Sequence, residues 1–204
     1  MIGIINYGLG NIKAFENIFN DLNINNRVIS DKNDFTKKIT HIILPGVGSF
    51  DSAILKLNSS GLKETLIEQI HNYELPVLGV CVGMQIMAKS SEEGNLKGLN
   101  WVPGKVLRFS SELNKKSINV PHMGWNNINV KKESPLLNDI DNPYFYFLHS
   151  YYFAPDLEEI TIGTSDSGQV FTSIFNYKNF YATQFHPEKS HKNGINLLRN
   201  FALI

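Results

Sequence analysis

The sequence of 204 residues contains one cysteine, Cys81, so no disulfide can form within the chain. Lysine plus arginine and aspartate plus glutamate number 19 each, which leaves no basic excess for binding nucleic acid or an anionic membrane. No stretch approaches the ~20 apolar residues of a membrane span. The first residues, MIGII, lack the basic start of a signal peptide. We therefore expect a cytoplasmic protein without nucleic-acid or membrane partners.

Apolar strands alternate with amphipathic helices in the first half of the chain. The strands predicted in this half are 2–7, 27–30, 41–44 and 76–80. The helices predicted between them are 12–22, 51–57 and 61–73. A strand that is followed by a helix and a further strand favours a parallel sheet flanked by helices.

The last third of the chain is rich in strands. Aromatic and β-branched residues predict them at 144–149, 160–165, 170–175 and 180–185. We expect these strands to pair antiparallel beside the parallel sheet. A closing helix is predicted at 191–202, with an apolar stripe of Ile195, Leu198 and Phe201. The stretch PHMGWN at 121–126 is predicted to be a loop. The fold class is thus α/β, in a single domain over residues 1–204.

The cysteine lies between a predicted strand and a predicted helix. In GVCVGMQ at residues 79–85, a glycine stands two residues before Cys81 and another two residues after it. An apolar run precedes this motif, and a helix is predicted at 84–89. This is the pattern of a nucleophile elbow with cysteine in place of serine, where a helix N-terminus stabilises a thiolate. A buried structural cysteine is the alternative interpretation.

Glycine-rich segments follow two of the predicted strands. PGVG at 45–48 leaves backbone N–H groups bare at a strand end, which suits a developing oxyanion, although the segment taken alone fits a plain connecting loop better. GLG at 8–10 hints at a dinucleotide fingerprint, but the third glycine and the acidic residue after the second strand are lacking. We therefore expect neither a dinucleotide nor any other cofactor or metal.

A cysteine nucleophile needs a base and a group that orients the base. Among six histidines, His186 stands at the carboxyl end of a predicted strand, at the same edge of the sheet as Cys81. Glu188 is placed to accept a hydrogen bond from the other ring nitrogen and to stabilise the imidazolium. The predicted triad is Cys81, His186 and Glu188, and the predicted reaction is acyl transfer to sulfur and then to water.

Five motifs in this sequence together resemble one enzyme family. They are PGVG at 45–48, GVCVGMQ at 79–85, PHMGWN at 121–126, YFLHSY at 146–151 and QFHPEKS at 184–190. The chain is similar over essentially its whole length to the triad-type (class I) glutamine amidotransferases. More narrowly, it resembles the glutaminase subunits of imidazole glycerol phosphate synthase. The resemblance implies a flavodoxin-like, open and mostly parallel sheet.

The resemblance also implies a mechanism for glutamine hydrolysis. Cys81 attacks the side-chain amide of glutamine, His186 transfers protons, and Glu188 orients His186. The residues implied to hold the oxyanion are Val47, Gly48 and Val82. The residues implied to bind the amino-acid end of glutamine are Gly46, Gln85, Ser150 and Tyr151.

A second protein is implied as the recipient of the ammonia. Ammonia that escapes into neutral water is protonated and loses its nucleophilicity, so a protected route is needed. In the family, the partner is a cyclase subunit with a (β/α)₈ barrel, joined in a heterodimer. It makes imidazole glycerol phosphate and aminoimidazole carboxamide ribotide in histidine biosynthesis. The positions that match the family's interface are Trp125, Asn126, Tyr146 and Lys189.

Val82 leaves the ammonia acceptor open, because histidine-pathway enzymes more often carry leucine after the nucleophile. Valine is reminiscent of paralogous glutaminase subunits that supply an amidotransferase of surface-polysaccharide sugars. A non-catalytic module on the same scaffold is a further alternative, against which the intact triad argues. A cysteine peptidase or chaperone with a similar elbow is another, but neither is expected to carry the 121–126 and 146–151 motifs together.

Overall fold

The computed structural model describes residues 1–109 and 120–204, and within this part its largest sheet has eight strands. Five neighbouring strands run parallel: β2 (Asn26–Ile29), β1 (Ile2–Ile5), β3 (His41–Leu44), β4 (Val77–Val80) and β12 (Phe180–Thr183). Three antiparallel strands continue the sheet: β11 (Val170–Tyr177), β10 (Thr161–Asp166) and β7 (Asn129–Val130). The predicted α/β fold, with a mostly parallel sheet and added antiparallel strands, is confirmed.

Five α-helices accompany the sheet in the described residues: α1 (Ile12–Asp21), α2 (Phe50–Ser59), α3 (Lys63–Tyr73), α4 (Val82–Gln85) and α5 (His191–Phe201). The first three begin and end within two residues of the predicted bounds. The longest of the five have 11 residues. Within the described ranges, no helix has the length and apolar character to cross a membrane.

The parallel strands β1 and β4, in the interior of the sheet, are apolar because they are buried on both faces. Every residue of β1 and of β4 is buried. Phe15 and Phe19 of α1 pack into the same core, as do Leu66 and Ile70 of α3. This packing holds the carboxyl ends of β3, β4 and β12 side by side, and the predicted site residues follow directly from those ends.

The helix after Cys81 is shorter than the sequence predicts and begins earlier. The expected helix at 84–89 is wrong, because α4 ends at Gln85. The N–H of Lys89, which would donate to Gln85 in a continued helix, donates to the Gly104 carbonyl at 3.1 Å instead. The carbonyl groups of 86–88 accept from a later segment: Ile86 from Leu99 at 2.8 Å, Met87 from Trp101 at 2.9 Å and Ala88 from Asn100 at 3.1 Å. Long-range backbone partners therefore replace the helical hydrogen bonds.

The stretch at 121–126 is mostly a strand, so its prediction as a loop is wrong. β6 (His122–Asn127) pairs antiparallel with β8 (Tyr144–His149), and its residues alternate between half-buried and exposed. His122 and Asn126 thus lie on the inner face and Trp125 on the outer face. A further pair is formed by β5 (Gly104–Arg108) and β9 (Tyr151–Pro155). Pairing with a distant strand creates β6, and local composition does not reveal it.

The buried face of α5 differs from the prediction at one position. Leu198 and Phe201 are fully buried as expected, but Ile195 is 37% exposed and Leu197 is buried instead. Gly194 lies directly against the backbone carbonyl of Pro187, where a Cβ would overlap it. The helix approaches its neighbours on the Gly194 side, and Ile195 turns toward solvent.

Candidate active site

Three neighbouring strands of the main sheet end at the predicted site. The loop 45–48 follows β3, Cys81 follows β4, and His186 comes three residues after β12. β4 lies between the other two, and Val80 pairs in register with Thr183. The carboxyl ends of parallel strands are where sites form in open α/β sheets. Residues from all three strand ends line one cavity of about 250 Å³.

The chain turns sharply at Cys81, with an unfavourable backbone conformation. Its φ is 54° and its ψ is −111°, a region that residues with a Cβ seldom adopt. The N–H of Cys81 donates to Thr183 at 2.8 Å, and its carbonyl accepts from Gln85 at 3.1 Å. A Cβ at Gly83 would overlap the carbonyl oxygen of Leu44. Glycine is therefore required at that position for the turn to pack against β3.

Replacing Cys81 by Gly is expected to give a more stable protein than replacing it by Ala. Alanine keeps a backbone strain on the order of 1–3 kcal/mol at this φ, whereas glycine loses only about 0.5–1 kcal/mol in chain entropy. Urea unfolding of the two variants should favour Cys81→Gly by about 1 kcal/mol. An alanine variant that equals or exceeds the glycine variant in stability would show that the turn is unstrained.

The Cys81 side chain is almost fully buried among polar groups. Its sulfur lies 3.8 Å from the carbonyl oxygen of Leu148. It also lies 3.8 Å from Nε2 of Gln184, which donates toward it. Gln85 Nε2 donates to Gln184 Oε1 at 3.1 Å and so orients that amide. The two glutamine side chains thus form a fixed polar wall behind the sulfur.

His186 and Glu188 form a buried pair beside the sulfur. His186 Nδ1 lies 2.9 Å from Glu188 Oε1, and the two side chains are only 3% and 1% exposed. Because a carboxylate only accepts, Nδ1 carries the proton, and Nε2 is left for Cys81. Burial lowers the pKa of His186, but Cys81 and Glu188 outweigh it and hold the pKa above its ordinary value. A charged imidazole is therefore favoured beside the sulfur.

Hydrogen bonds from other elements hold both sides of the site. The N–H of His186 donates to Tyr146 in β8 at 2.9 Å, and Ser190 Oγ donates to the His186 carbonyl at 2.6 Å. On the opposite side, the Tyr7 hydroxyl donates to the Pro45 carbonyl at 2.7 Å. Burial, together with Cys81, raises the pKa of Tyr7, so this hydroxyl remains a donor.

Most residues predicted to hold the oxyanion or the substrate lie at this cavity. Six of the seven line it: Val47, Gly48, Val82, Gln85, Ser150 and Tyr151. Gly48 has φ of 91°, which glycine adopts without strain, and its backbone is exposed. Gly46 is buried against the backbone of Val82 and Gly83, outside the cavity lining.

Comparison with known proteins assigns the family. The model of the glutamine amidotransferase class-I family matches residues 4–204. The chain belongs to the class-I glutamine amidotransferase family. The amidotransferase is 48% identical, over 99% of both chains, to "Imidazole glycerol phosphate synthase subunit HisH" of Leptospira interrogans. It is 44% identical, over 100% of both chains, to the HisH subunit of Bdellovibrio bacteriovorus. The resemblance seen in the motifs is therefore confirmed.

A solved structure has the same fold at lower sequence identity. It is the crystal structure of a glutamine amidotransferase, with a TM-score of 0.71 and 16% identity. The match covers 100% of this chain and 99% of that one. At this identity the likeness shows the fold alone.

Three of the four residues predicted at a partner interface lie together on the outer face of the amidotransferase. Trp125 is 37% exposed, and its ring stacks on Tyr144 and on His191 at centroid distances of 5.4 and 5.2 Å. Tyr146 is 6.1 Å from Trp125, and its ring has Lys189 Nζ at 6.0 Å. The fourth, Asn126, is half-buried, and its Nδ2 donates to the Asp166 carbonyl at 2.9 Å.

The cavity of the amidotransferase also has lining residues that sequence reasoning misses: Glu93, Pro121, Leu148 and His149. Glu93 Oε2 accepts the N–H of Phe50, at the start of α2, at 2.7 Å. The sequence around Glu93 indicates only a helix end, so nothing in it points to the cavity. Pro121, Leu148 and His149 lie within two of the five family motifs. Their place in those motifs is the feature of the sequence that could have indicated them.

The stability of the amidotransferase is expected to fall at mildly acidic pH because of His149. Burial is the largest cause that lowers the pKa of His149. His122 and His186 lower it further, the hydrogen bond to Tyr151 opposes the shift, and the resulting pKa is about 3. The unfolded chain binds this proton below about pH 6.5, but the folded protein does not, so stability is lost as pH falls. This difference removes about 2 kcal/mol between pH 7 and pH 5.

Urea unfolding at both pH values tests this expectation. The His149→Asn variant, which has no titrating group at this position, should lose about 2 kcal/mol less than the wild type over the same interval. His71→Asn, which changes an exposed histidine of α3, should keep the wild-type pH dependence. Equal losses in the wild type and in His149→Asn would mean that His149 is protonated in the folded protein.

Proposed function

We propose that the chain hydrolyses glutamine to glutamate and ammonia and passes the ammonia to a cyclase subunit of histidine biosynthesis. One observation carries the proposal: a buried His186–Glu188 pair stands beside the cavity-lining Cys81 in a chain 48% identical to a HisH subunit. In this proposal residues 1–204 act as a single domain in the cytoplasm.

The proposed reaction has two acyl-transfer steps. The Cys81 thiolate attacks the side-chain amide carbon of glutamine, and His186 gives its proton to the nitrogen as the C–N bond breaks. Ammonia leaves, and a glutamyl thioester remains on sulfur. His186 then takes a proton from water, which attacks the thioester, and glutamate departs as the thiolate is restored. Glu188 keeps the His186 proton on Nδ1 and stabilises the imidazolium.

Backbone groups are proposed to hold the oxyanion of both tetrahedral intermediates. They are the N–H of Val82, which opens α4, and the N–H of Val47 or Gly48 on the facing loop. Their place in the cavity lining beside Cys81 supports this role. Gly46, predicted to bind the amino-acid end of glutamine, lies outside the cavity lining, and we propose that it contributes through its close packing on the elbow instead.

The amino-acid end of glutamine is proposed to lie between Gln85, Ser150 and Tyr151. Glu93 adds a carboxylate to this part of the cavity, and the N–H of Phe50 holds it in place. A carboxylate there suits the α-ammonium of glutamine, while backbone N–H groups at 150–151 suit its α-carboxylate. The small volume of the cavity, about 250 Å³, fits an amino acid better than a peptide.

A (β/α)₈-barrel cyclase subunit is the proposed partner, in a heterodimer. Apolar side chains of β6 and β8 are exposed beside the cavity: Met123 is 65% exposed and Leu148 is 39% exposed. Such a patch is typical of a protein interface. Leu148 also lines the cavity, so a protein seated on this patch would cover the place where ammonia leaves. Trp125, Asn126, Tyr146 and Lys189 are proposed to contact it.

Mixing the purified chain with candidate synthases tests the pathway. Glutamine-dependent product is expected with the histidine-pathway cyclase and its ribotide substrate, and none with the amidotransferase of surface-polysaccharide sugars. The HisH names of the relatives favour this outcome despite Val82. Product formed only with the sugar enzyme would overturn the pathway and leave the glutaminase chemistry intact.

Replacing Trp125 by Ala is expected to weaken the complex with the cyclase about 30-fold. A large aromatic ring at an interface commonly contributes about 2 kcal/mol or more. Titration of the cyclase into each variant, followed by calorimetry, measures the change. Tyr73→Ala serves as the control, because Tyr73 is 56% exposed in α3, away from β6 and β8. Equal affinity of Trp125→Ala and the wild type would place the interface elsewhere.

A further inference from the structure

Two histidines that have no part in the steps above form a series of hydrogen bonds beside the cavity. His122 Nδ1, in β6, lies 2.9 Å from His149 Nε2, at the end of β8. His149 Nδ1 lies 2.8 Å from the carbonyl oxygen of Tyr151. The same oxygen accepts Gln85 Nε2 at 2.9 Å. The two histidines are thus connected through Gln85 to the polar wall behind the Cys81 sulfur.

The groups at the two ends of this series fix the direction of every bond in it. At one end, Asn126 Nδ2 donates to the Asp166 carbonyl, which fixes the orientation of the amide, so the same nitrogen donates to His122 Nε2 at 3.2 Å. His122 Nε2 therefore carries no proton, and His122 donates from Nδ1 to an unprotonated Nε2 of His149. At the other end, the Tyr151 carbonyl only accepts, so His149 donates to it from Nδ1. Both imidazoles are therefore neutral, and both carry their proton on Nδ1.

Aromatic rings surround the two histidines and disfavour a charge on either of them. Phe147 and Phe171 contact both imidazoles, and Phe109 contacts His149, with ring centroids 4.9 to 5.7 Å apart. Burial lowers the pKa of His122 and of His149. A neutral ring has two tautomers, however, and only a specific neighbour can select one of them.

We propose that His122 and His149 are positioning residues for glutamine, acting through the carbonyl group of Tyr151. If the His149 proton sat on Nε2, the lone pair on Nδ1 would face that carbonyl, and two acceptors would repel each other. The N–H of His122 prevents this, because it donates to His149 Nε2, which can accept only when it carries no proton. The Tyr151 carbonyl is then held by two donors, which fixes Gln85 and the backbone at 150–151.

The first experiment measures the tautomers and does not depend on any assumed substrate. In ¹⁵N-histidine-labelled protein at pH 7, long-range ¹H–¹⁵N spectra should show His122 and His149 protonated on Nδ1 only. The His122→Asn variant keeps an N–H near the position of Nδ1, whereas His122→Leu does not. We expect His149 to stay in the Nδ1–H form in His122→Asn and to shift toward the Nε2–H form in His122→Leu.

The second experiment measures glutamine binding with a thiol-alkylating glutamine analogue, diazo-oxo-norleucine. The concentration for half-maximal labelling of Cys81 should rise about ten-fold in His122→Leu, as expected for one lost buried hydrogen bond, and recover in His122→Asn. The maximal labelling rate should change less than about two-fold, because the Cys81–His186–Glu188 contacts are untouched. His71→Leu, an exposed change on α3, controls for the loss of a histidine.

This inference rests on the proposed function, because it takes glutamine as the ligand. The two experiments distinguish a failure of the inference from a failure of the proposed function. The inference is overturned if wild-type His149 is protonated on Nε2 or on both nitrogens. It is also overturned if His122→Leu matches the wild type in tautomer and in labelling. If iodoacetamide labels wild-type Cys81 but the analogue does not, the proposed function fails, and the positioning of glutamine fails with it. A tautomer shift in His122→Leu would then support only the hydrogen-bond series.

Discussion

A Cys81→Ala protein is expected to release no measurable ammonia from glutamine, with a loss of about 10⁴-fold or more. The reason is chemical: the thioester cannot form, and His186 and Glu188 have no nucleophile to serve. Because Cys81 is 3% exposed and alanine fits the space of its side chain, the variant should fold. Ammonia release, measured in the complex with the cyclase, gives the result directly.

Free ammonia provides the control for this variant. The complex of Cys81→Ala with the cyclase should form product from an ammonium salt at the wild-type rate, because the proposed function places the acceptor site in the other protein of the complex. Glutamine should still bind, since its amino-acid end is held by residues that the substitution does not touch. Unchanged ammonia release from glutamine would refute the triad.

Replacing Glu188 by Gln is expected to lower kcat for glutamine about 10²- to 10⁴-fold. The amide keeps the shape of the side chain but removes the charge that stabilises the imidazolium. It can also turn its NH₂ group toward His186 and so favour the wrong tautomer. The pair is buried, with 3% and 1% exposure, so water cannot replace the lost charge effectively. Steady-state glutamine hydrolysis in the complex measures the effect.

Glu158→Gln is the matched control for this substitution. It makes the same chemical change at an exposed position in the short helical turn before β10. Its kcat should equal that of the wild type. If Glu188→Gln retained activity within about three-fold of the control, Glu188 would not orient or stabilise the base.

The sequence was sufficient for the parts of the fold that depend on local pattern. β1 and β4 are short apolar runs bounded by turn residues, and the turn at Cys81 needs glycine at position 83 for close packing. The same reasoning predicted that His186 and Cys81 lie at one edge of the sheet, because each comes just after a strand of a parallel sheet. These inferences need only neighbouring residues and general rules of topology.

The features that the sequence does not predict depend on contacts between distant segments. β6 exists because β8 pairs with it, although residues 121–126 have a loop-like composition. α4 ends early because the backbone of residues 86–89 bonds to residues 99–101 and 104. Ile195 is exposed because Gly194, and not a large side chain, faces Pro187. Glu93, which lines the cavity, accepts a hydrogen bond from the start of α2, 43 residues earlier in the chain. No local periodicity encodes any of these contacts.

Trapping the covalent intermediate tests the central claim most directly. The wild-type complex is mixed with glutamine, quenched in acid within one turnover, digested and analysed by mass spectrometry. The account predicts a glutamyl group on the peptide that contains Cys81, absent in Cys81→Ala and removed when the sample is left to turn over before quenching. Ammonia release without this adduct, or an adduct on another residue, would contradict glutamine hydrolysis through Cys81.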